Sequence, residues 1–449
     1  MKIALIGAGS HFFESVFLEL GQTPELHGAE VVLYDIDADR MQLIDMVGRR
    51  ISDHFGAGFR ISSTQDLPTV LEGANIAITS IGVHGPAASW HKMDVEAVAR
   101  FGIMQTTGDT VGPSGFSQGL RIIPIFIELT KAMEKYCPDC IILNHSNPMA
   151  AICRTVKKYS KIKIIGYCHN VAQSLPIFAG LLDVEAQDLD FLVGGINHMT
   201  WLLSLRHKGR DVYPELKRRI LNSEAQKGQQ FTKDLLQAMD LFMMGGDRHI
   251  IEFFPHARQS SDPKALHYGL KWRSDMISEN LLSEELTRGA AQLQARAEGT
   301  KPLYIPKHVT PEAMGQQIKA LTQGPDIVHV VNIPNEGAIP NLPDWALVEV
   351  KAVVGQHGAR PVFVGDLPAQ AARWTLAQIY AHELTIEAAA EQSRSKAIQA
   401  LACDPMIRDF HEAEQVLDAL IEVQGDRLAS FMKKIGISRP SFPNAIESL

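Results

Sequence analysis

An α/β fold built on an N-terminal parallel sheet is predicted by three features of the sequence. Short apolar runs alternate with amphipathic stretches from residue 2 to about residue 166, the pattern of strands joined by crossover helices. The first run, 2–6 (KIALI), ends in Gly7-Ala8-Gly9-Ser10 and leads into helical spacing at Phe12, Val16, Phe17 and Leu20. The second run, 31–34, ends in an acid, Asp35.

The glycine pair explains itself if a dinucleotide binds here. In a Rossmann-type unit the first glycine permits the tight turn after the strand. The second lets the backbone approach a pyrophosphate seated on the helix N-terminus. The third glycine of that fingerprint is replaced by Phe12. Asp35 compensates, because a carboxylate at the end of the second strand accepts ribose hydroxyls and repels a 2′-phosphate, favouring NAD over NADP. Gly7, Gly9, Ser10 and Asp35 are therefore the candidate cofactor-binding residues.

The alternation continues. A helix is expected around Met41, Ile44 and Val47, a strand at 60–62, a short helix near Val70, and a strand at 76–80. A long helix at about 117–135 precedes strands at 141–143 and 162–166, with a helix from Met149 between them. From about residue 190 the texture changes to strand, turn and strand (191–205). A charged, helix-rich stretch (256–304) follows, then paired strands (327–333 and 346–353), then helices from 367. The expected division is a Rossmann NAD-binding domain at 1–190 and an α+β catalytic, substrate and oligomerisation domain at 191–449. This is the architecture of lactate and malate dehydrogenases.

Bulk properties narrow the function classes. A chain of 449 residues exceeds one ordinary core and suggests two or three domains. A net charge of −8 argues against nucleic acid or an anionic membrane as partner. No apolar run approaches a membrane span of roughly 18 residues. The N-terminal residues enter a strand pattern directly, so no signal peptide is expected. Five scattered cysteines form no disulfide framework, which suits a reducing cytoplasm.

Polar clusters fall at expected strand ends: Gly108-Asp109-Thr110-Val111-Gly112-Pro113, Asn144-His145-Ser146-Asn147-Pro148, Cys168-His169-Asn170 and Asn197-His198-Met199. In an open parallel sheet, ligands bind beyond the carboxyl ends of the strands. A thiolate at Cys168 and an imidazole at His198 suit a borderline divalent ion and leave positions open for substrate oxygens. From spacing alone, structural roles for both stay open. Cys137-Pro138-Asp139-Cys140 lies where a chain enters a strand and has no second pair to complete a zinc site, so a structural role is expected. Gly245-Gly246-Asp247-Arg248-His249 reads equally as a site wall and as a solvated loop.

Taken in order, IGAGS (6–10), LYDID (33–37), GDTVGP (108–113), GLRIIP (119–124), NHSNPM (144–149), CHN (168–170), GINHMTW (195–201), GDRHIIEFFP (246–255) and VNIPNEGAIPNLP (331–343) resemble the NAD- and metal-dependent glycosidases of glycoside hydrolase family 4. The resemblance spans nearly the whole chain. It implies an exception to two-carboxylate glycoside hydrolysis. NAD takes a hydride from C3 of the sugar, a divalent metal, usually Mn²⁺, polarises the oxygens at C2 and C3, and a base removes the C2 proton. The leaving group departs from C1 with acid help, water adds, and the hydride returns.

By the same resemblance, Cys168 and His198 are metal ligands, and His169 is the acid, a residue type able to give up a proton near neutral pH. Many members use a tyrosine as base, but none lies near the matching stretch here, and the GDRH form (246–249) resembles the branch in which the aspartate, Asp247, is the base. Asn147, Arg121, Arg248 and His249 contact substrate. A histidine at 169 resembles the branch acting on unphosphorylated α-glycosides, with galacturonide, glucuronide and glucoside all open. Gln118 departs from the pattern. Many relatives carry arginine there, and its loss puts an anionic C6 group in doubt. The resemblance also implies a homodimer or homotetramer. An NAD-dependent 2-hydroxy acid or sugar dehydrogenase and a non-catalytic NAD-sensing module are the alternatives.

Overall fold

The apolar residues of the first strands alternate between two faces, and the fold uses both. In the computed structural model, which describes residues 1–85, 88–223, 229–254, 268, 270–278, 281–305 and 313–432, thirteen strands form two sheets. They are β1 (Lys2–Ile6), β2 (Glu30–Tyr34), β3 (Arg60–Thr64), β4 (Ile76–Thr79), β5 (Ile141–Asn144), β6 (Lys163–Gly166), β7 (Leu189–Ile196), β8 (Met199–His207), β9 (Arg210–Asp211), β10 (Phe242–Met244), β11 (Ile327–Pro334), β12 (Leu347–Gly355) and β13 (Gly358–Pro361). Ile3, Leu5, Val31 and Leu33 enter one core cluster, while Ala4, Ile6 and Val32 enter another on the opposite side. A strand's period of two places these sets on opposite faces, each covered by helices.

The first sheet runs β13-β12-β11-β6-β5-β4-β1-β2-β3. Its parallel part, from β3 through β1 and β4 to β6, has the Rossmann order, which reverses between β1 and β4 and opens a crevice there. The paired strands expected near 327 and 346 are present as β11 and β12, antiparallel to each other. They extend this same sheet through the pairing of Asn332 with Gly166. The pairing was legible in the sequence, but the sheet they join was not.

The long helix begins earlier than the expected 117, running Gly112–Tyr136 with a proline in its first turn. Proline suits that position because its missing N–H has no partner there in any case. Helix Ala369–Glu391 packs against it. In the second sheet, β8 lies between β7 and β10. The hairpin β7–β8 turns on Asn197-His198 alone. Gly195 (φ 150°) lies so close to the Met199 carbonyl that no side chain fits.

Among the described residues, no helix is long and apolar enough to cross a membrane. Cys137 and Cys140 are buried in the second core cluster, unpaired by disulfide. Part of the charged stretch expected at 256–304, namely 256–267, 269, 279 and 280, lies outside the described residues, as does Pro255 of GDRHIIEFFP.

Candidate active site

The glycine turn forms at the crevice. Gly7 has φ +83°, and a Cβ there would stand 2.5 Å from the Ser80 carbonyl oxygen at the end of β4. The Gly9 N–H donates to Asp35 Oδ2 at 2.7 Å, and Asp37 N–H donates to Asp35 Oδ1 at 2.8 Å. Ser80 donates to Ser10 Oγ at 2.9 Å. Phe12, at the third fingerprint position, stacks on His145 with ring centroids 4.1 Å apart. An aromatic contact to the β5 loop thus occupies the place where a glycine would allow close helix–strand packing. The four candidate cofactor residues lie together around one turn.

The loop after β5 is shaped by Asn144, which accepts from Thr79 Oγ1 (2.8 Å) and from the Ser146 N–H (3.1 Å). Ser146 in turn accepts from the Ile81 N–H at 2.7 Å. Asn147 precedes a cis proline, and its Oδ1 is buried without a hydrogen-bond partner among the described residues. An orphaned acceptor of this kind suits a ligand hydroxyl.

Three loops bring ligand atoms to one point. Asp109, His198 and His249 place a carboxylate oxygen and two ring nitrogens within 4.8 Å of one another. His198 sits in the β7–β8 turn at φ 64°, a conformation uncommon for non-glycine residues and often found at functional sites. Thr110 Oγ1 lies 3.1 Å from His198 Nδ1 and donates to Asp109 Oδ1 at 2.9 Å. The rings of His198 and His249 are 4.3 Å apart. Burial, then the facing His249, pushes His198 down to about 3. Burial also lowers His249. For Asp109, burial works against ionisation, but His249, His198 and the Thr110 hydroxyl outweigh it and hold the carboxyl below its usual range. Two neutral imidazoles beside a carboxylate are the protonation states a divalent cation requires of its ligands. The donor set therefore fits such an ion.

Glu252 holds this arrangement in place. Its Oε1 accepts from the backbone N–H groups of Thr106, Thr107 and Gly108 at 2.8, 2.9 and 3.0 Å. Thr106 Oγ1 donates to the Arg248 carbonyl at 2.5 Å. The segments carrying Asp109 and His249 are thus tied together.

The expected site residues divide. His198 and His249 lie in the cluster. His169 caps helix Asn170–Leu182, exposed, and its charge acts on both imidazoles. Cys168 is half-buried against the core under β4–β6 and is not among the three convergent residues. Arg121 points elsewhere. It donates to Asp94 at 2.7 Å and Ser117 at 2.8 Å, with 4% of its side chain exposed. Its two terminal nitrogens are taken up within the fold, while its Nε has no hydrogen-bond partner among the described residues.

The base role expected of Asp247 meets a similar obstacle. Its two carboxylate oxygens accept from Phe231 N–H (2.8 Å), Thr232 N–H (2.9 Å) and Thr232 Oγ1 (2.5 Å). It caps the start of helix Gln230–Met239 and is 1% exposed. Asp247→Ala is expected to lose about 1–2 kcal/mol of stability, the worth of a lost helix cap. Urea unfolding checks this. A kcat loss with unchanged stability would restore the catalytic role. Asp109, Glu252 and Arg273 were not singled out from the sequence. The GDTVGP motif carried a signal for Asp109, since its glycines and proline frame a polar residue just before a helix.

Comparison with known proteins agrees with this geometry. The family description "Family 4 glycosyl hydrolase" matches residues 2–183, and that of the family's C-terminal domain matches 193–407. An α-galactosidase of Bacillus subtilis is 31% identical, covering 96% of this chain and 99% of its own. An α-galacturonidase of Lachnoclostridium phytofermentans is 28% identical, covering 97% of both chains. The crystal structure of a 6-phospho-α-glucosidase from gut microorganisms, solved with NAD and Mn²⁺, superposes with a TM-score of 0.78 at 22% identity over 95% of this chain and 98% of that one. With a nucleotide-type crevice, a convergent donor cluster and this likeness over nearly its full length, the chain belongs to family 4 of the glycosyl hydrolases.

Proposed function

We propose that the chain hydrolyses unphosphorylated α-glycosides, using NAD and a divalent metal that are both regenerated in each turnover. The observation that carries this reading is the convergence of Asp109, His198 and His249 in a chain that also forms the Gly7–Asp35 turn. Thr110, bonded to His198, and Pro148, from the loop after β5, line the same small cavity. That shared wall brings the donor cluster up to the carboxyl ends of the sheet.

When bound, the nicotinamide accepts and returns a hydride at C3, and the metal polarises the oxygens at C2 and C3. The chain's own residues seat both groups and the sugar and supply the acid. Gly7, Gly9, Ser10 and Asp35 seat the dinucleotide. Asp109, His198 and His249, with Cys168 as a fourth donor, hold the metal. The Thr110 hydroxyl orients His198 and Asp109, as outer-shell partners do. Asn147 accepts a substrate hydroxyl. His169, at the exposed rim, donates a proton to the departing oxygen. Asp247 fixes the turn that carries Arg248 and His249.

A panel of p-nitrophenyl α- and β-glycosides tests the reading. Cleavage of α-linked members is expected only with NAD and Mn²⁺ in reducing buffer. Cys168→Ser is expected to weaken Mn²⁺ binding while NAD binding is retained. Stoichiometric NADH accumulation without release of nitrophenol would indicate a dehydrogenase instead.

A further inference from the structure

We propose that Arg248 and Arg273 form a recognition site for a carboxylate at C6 of the sugar, so that the substrate is an α-linked uronide. The inference rests on the glycosidase reading above and names its substrate class.

The two arginines flank the loop that carries Asp109. The Arg273 N–H donates to the Gln105 carbonyl at 2.7 Å, and its Nε donates to His91 Nε2 at 3.1 Å. Arg248 donates to the Thr106 carbonyl at 2.9 Å and touches the Met276 sulfur at 3.2 Å. Met276 lies on the same short helix as Arg273, Arg273–Ser278, and joins the two cations across the loop.

Neither guanidinium is paired with a carboxylate at contact distance among the described residues, and Arg248 Nε is buried without an acceptor. The terminal nitrogens of Arg273 have no described partner. Those two nitrogens form the fork that meets a carboxylate in paired hydrogen bonds. Asp109, Glu252 and Glu285 act on Arg273 electrostatically without pairing with it, and the Glu252 oxygens are engaged by the backbone of 106–108. His91 supplies no counter-charge, since burial and the neighbouring His84 hold it neutral, near 3. Burial and the charge of Arg248 lower Arg273 itself. Cations kept partly out of water without an anion are costly, and a substrate carboxylate removes that cost on binding.

The same network accounts for Gln118. It is fully buried and donates to the Gly108 carbonyl at 3.0 Å, with its amide 2.8 Å from His91 Nδ1. It packs the ring whose other nitrogen holds Arg273. The positive charge missing at 118 is supplied from 273, so Gln118 does not argue against an anionic sugar.

Calorimetric titration of the NAD- and Mn²⁺-loaded protein with D-galacturonate, D-glucuronate, D-galactose and galactose 6-phosphate tests the site. A uronate is expected to bind at least about tenfold tighter than galactose, the margin of one charge-assisted contact. Arg273→Met is expected to abolish that preference while leaving galactose affinity and the thermal midpoint unchanged. Arg273→Lys, which keeps the charge and loses the fork, is expected to retain part of it. Equal binding of galactose and uronates, or a preference that survives in the Arg248→Met/Arg273→Met double variant, would overturn the proposal. Tighter binding of the 6-phosphate would overturn the carboxylate assignment. If no glycoside is cleaved yet the uronate preference persists, the glycosidase reading fails and the carboxylate-binding site alone stands.

Discussion

Replacing His198 by alanine is expected to remove divalent-metal binding and to lower kcat/KM on any cleaved α-glycoside by about 10³-fold or more. His198 is the central member of the cluster. It faces His249 ring to ring, and Thr110 links it to Asp109. Losing its imidazole leaves Asp109 and His249 without the geometry that brings three donors to one point. Titration with Mn²⁺, followed by the metal's electron paramagnetic resonance signal, reads the loss without reference to turnover. NAD binding is expected to be unchanged, because the glycine turn is held by its own hydrogen bonds, from the Gly9 N–H to Asp35 and from Ser80 to Ser10. A variant that still binds Mn²⁺ tightly would move the metal away from this cluster.

Arg121→Met is expected to destabilise the fold by about 3–5 kcal/mol, the cost of stranding a buried charge when one partner of an ion pair is removed. The stranded group is Asp94. It accepts from Arg121 at 2.7 Å, Ser117 at 2.7 Å and Gln424 at 2.8 Å, and its side chain is 0% exposed. The pair ties helix Gly112–Tyr136 to helix Ser89–Ala99, and Gln424 links both to helix Phe410–Gln424. Urea unfolding gives the difference. If Arg121 instead served mainly as a substrate contact, KM would rise while the unfolding midpoint stayed in place.

The residues of the nucleotide turn were readable because their constraints are local. A strand, a glycine that must adopt positive φ and an acid at the next strand end all follow from neighbouring residues, and Gly7, Gly9 and Asp35 meet in one turn. The alternation of apolar faces likewise placed β1 to β6. The roles of Asp247 and Arg121 were not readable. Both are polar residues in motifs of the right kind, and only the fold decides whether a carboxylate faces a cavity or the first turn of a neighbouring helix. Asp109 and His249 are 140 positions apart in the chain. Their convergence depends on Glu252 gathering three backbone N–H groups from the other loop.

By itself, then, the sequence determined the parallel sheet, the dinucleotide turn and the family, because periodicity, glycine conformations and ordered motifs act over short stretches of chain. Which side chains meet was decided only by the tertiary structure. Donor convergence at His198, the capping of helix Gln230–Met239 by Asp247 and the placement of Arg248 and Arg273 on either side of the 105–109 loop depend on distances between elements far apart in sequence. Burial there changes what each charge costs, and no local pattern records it.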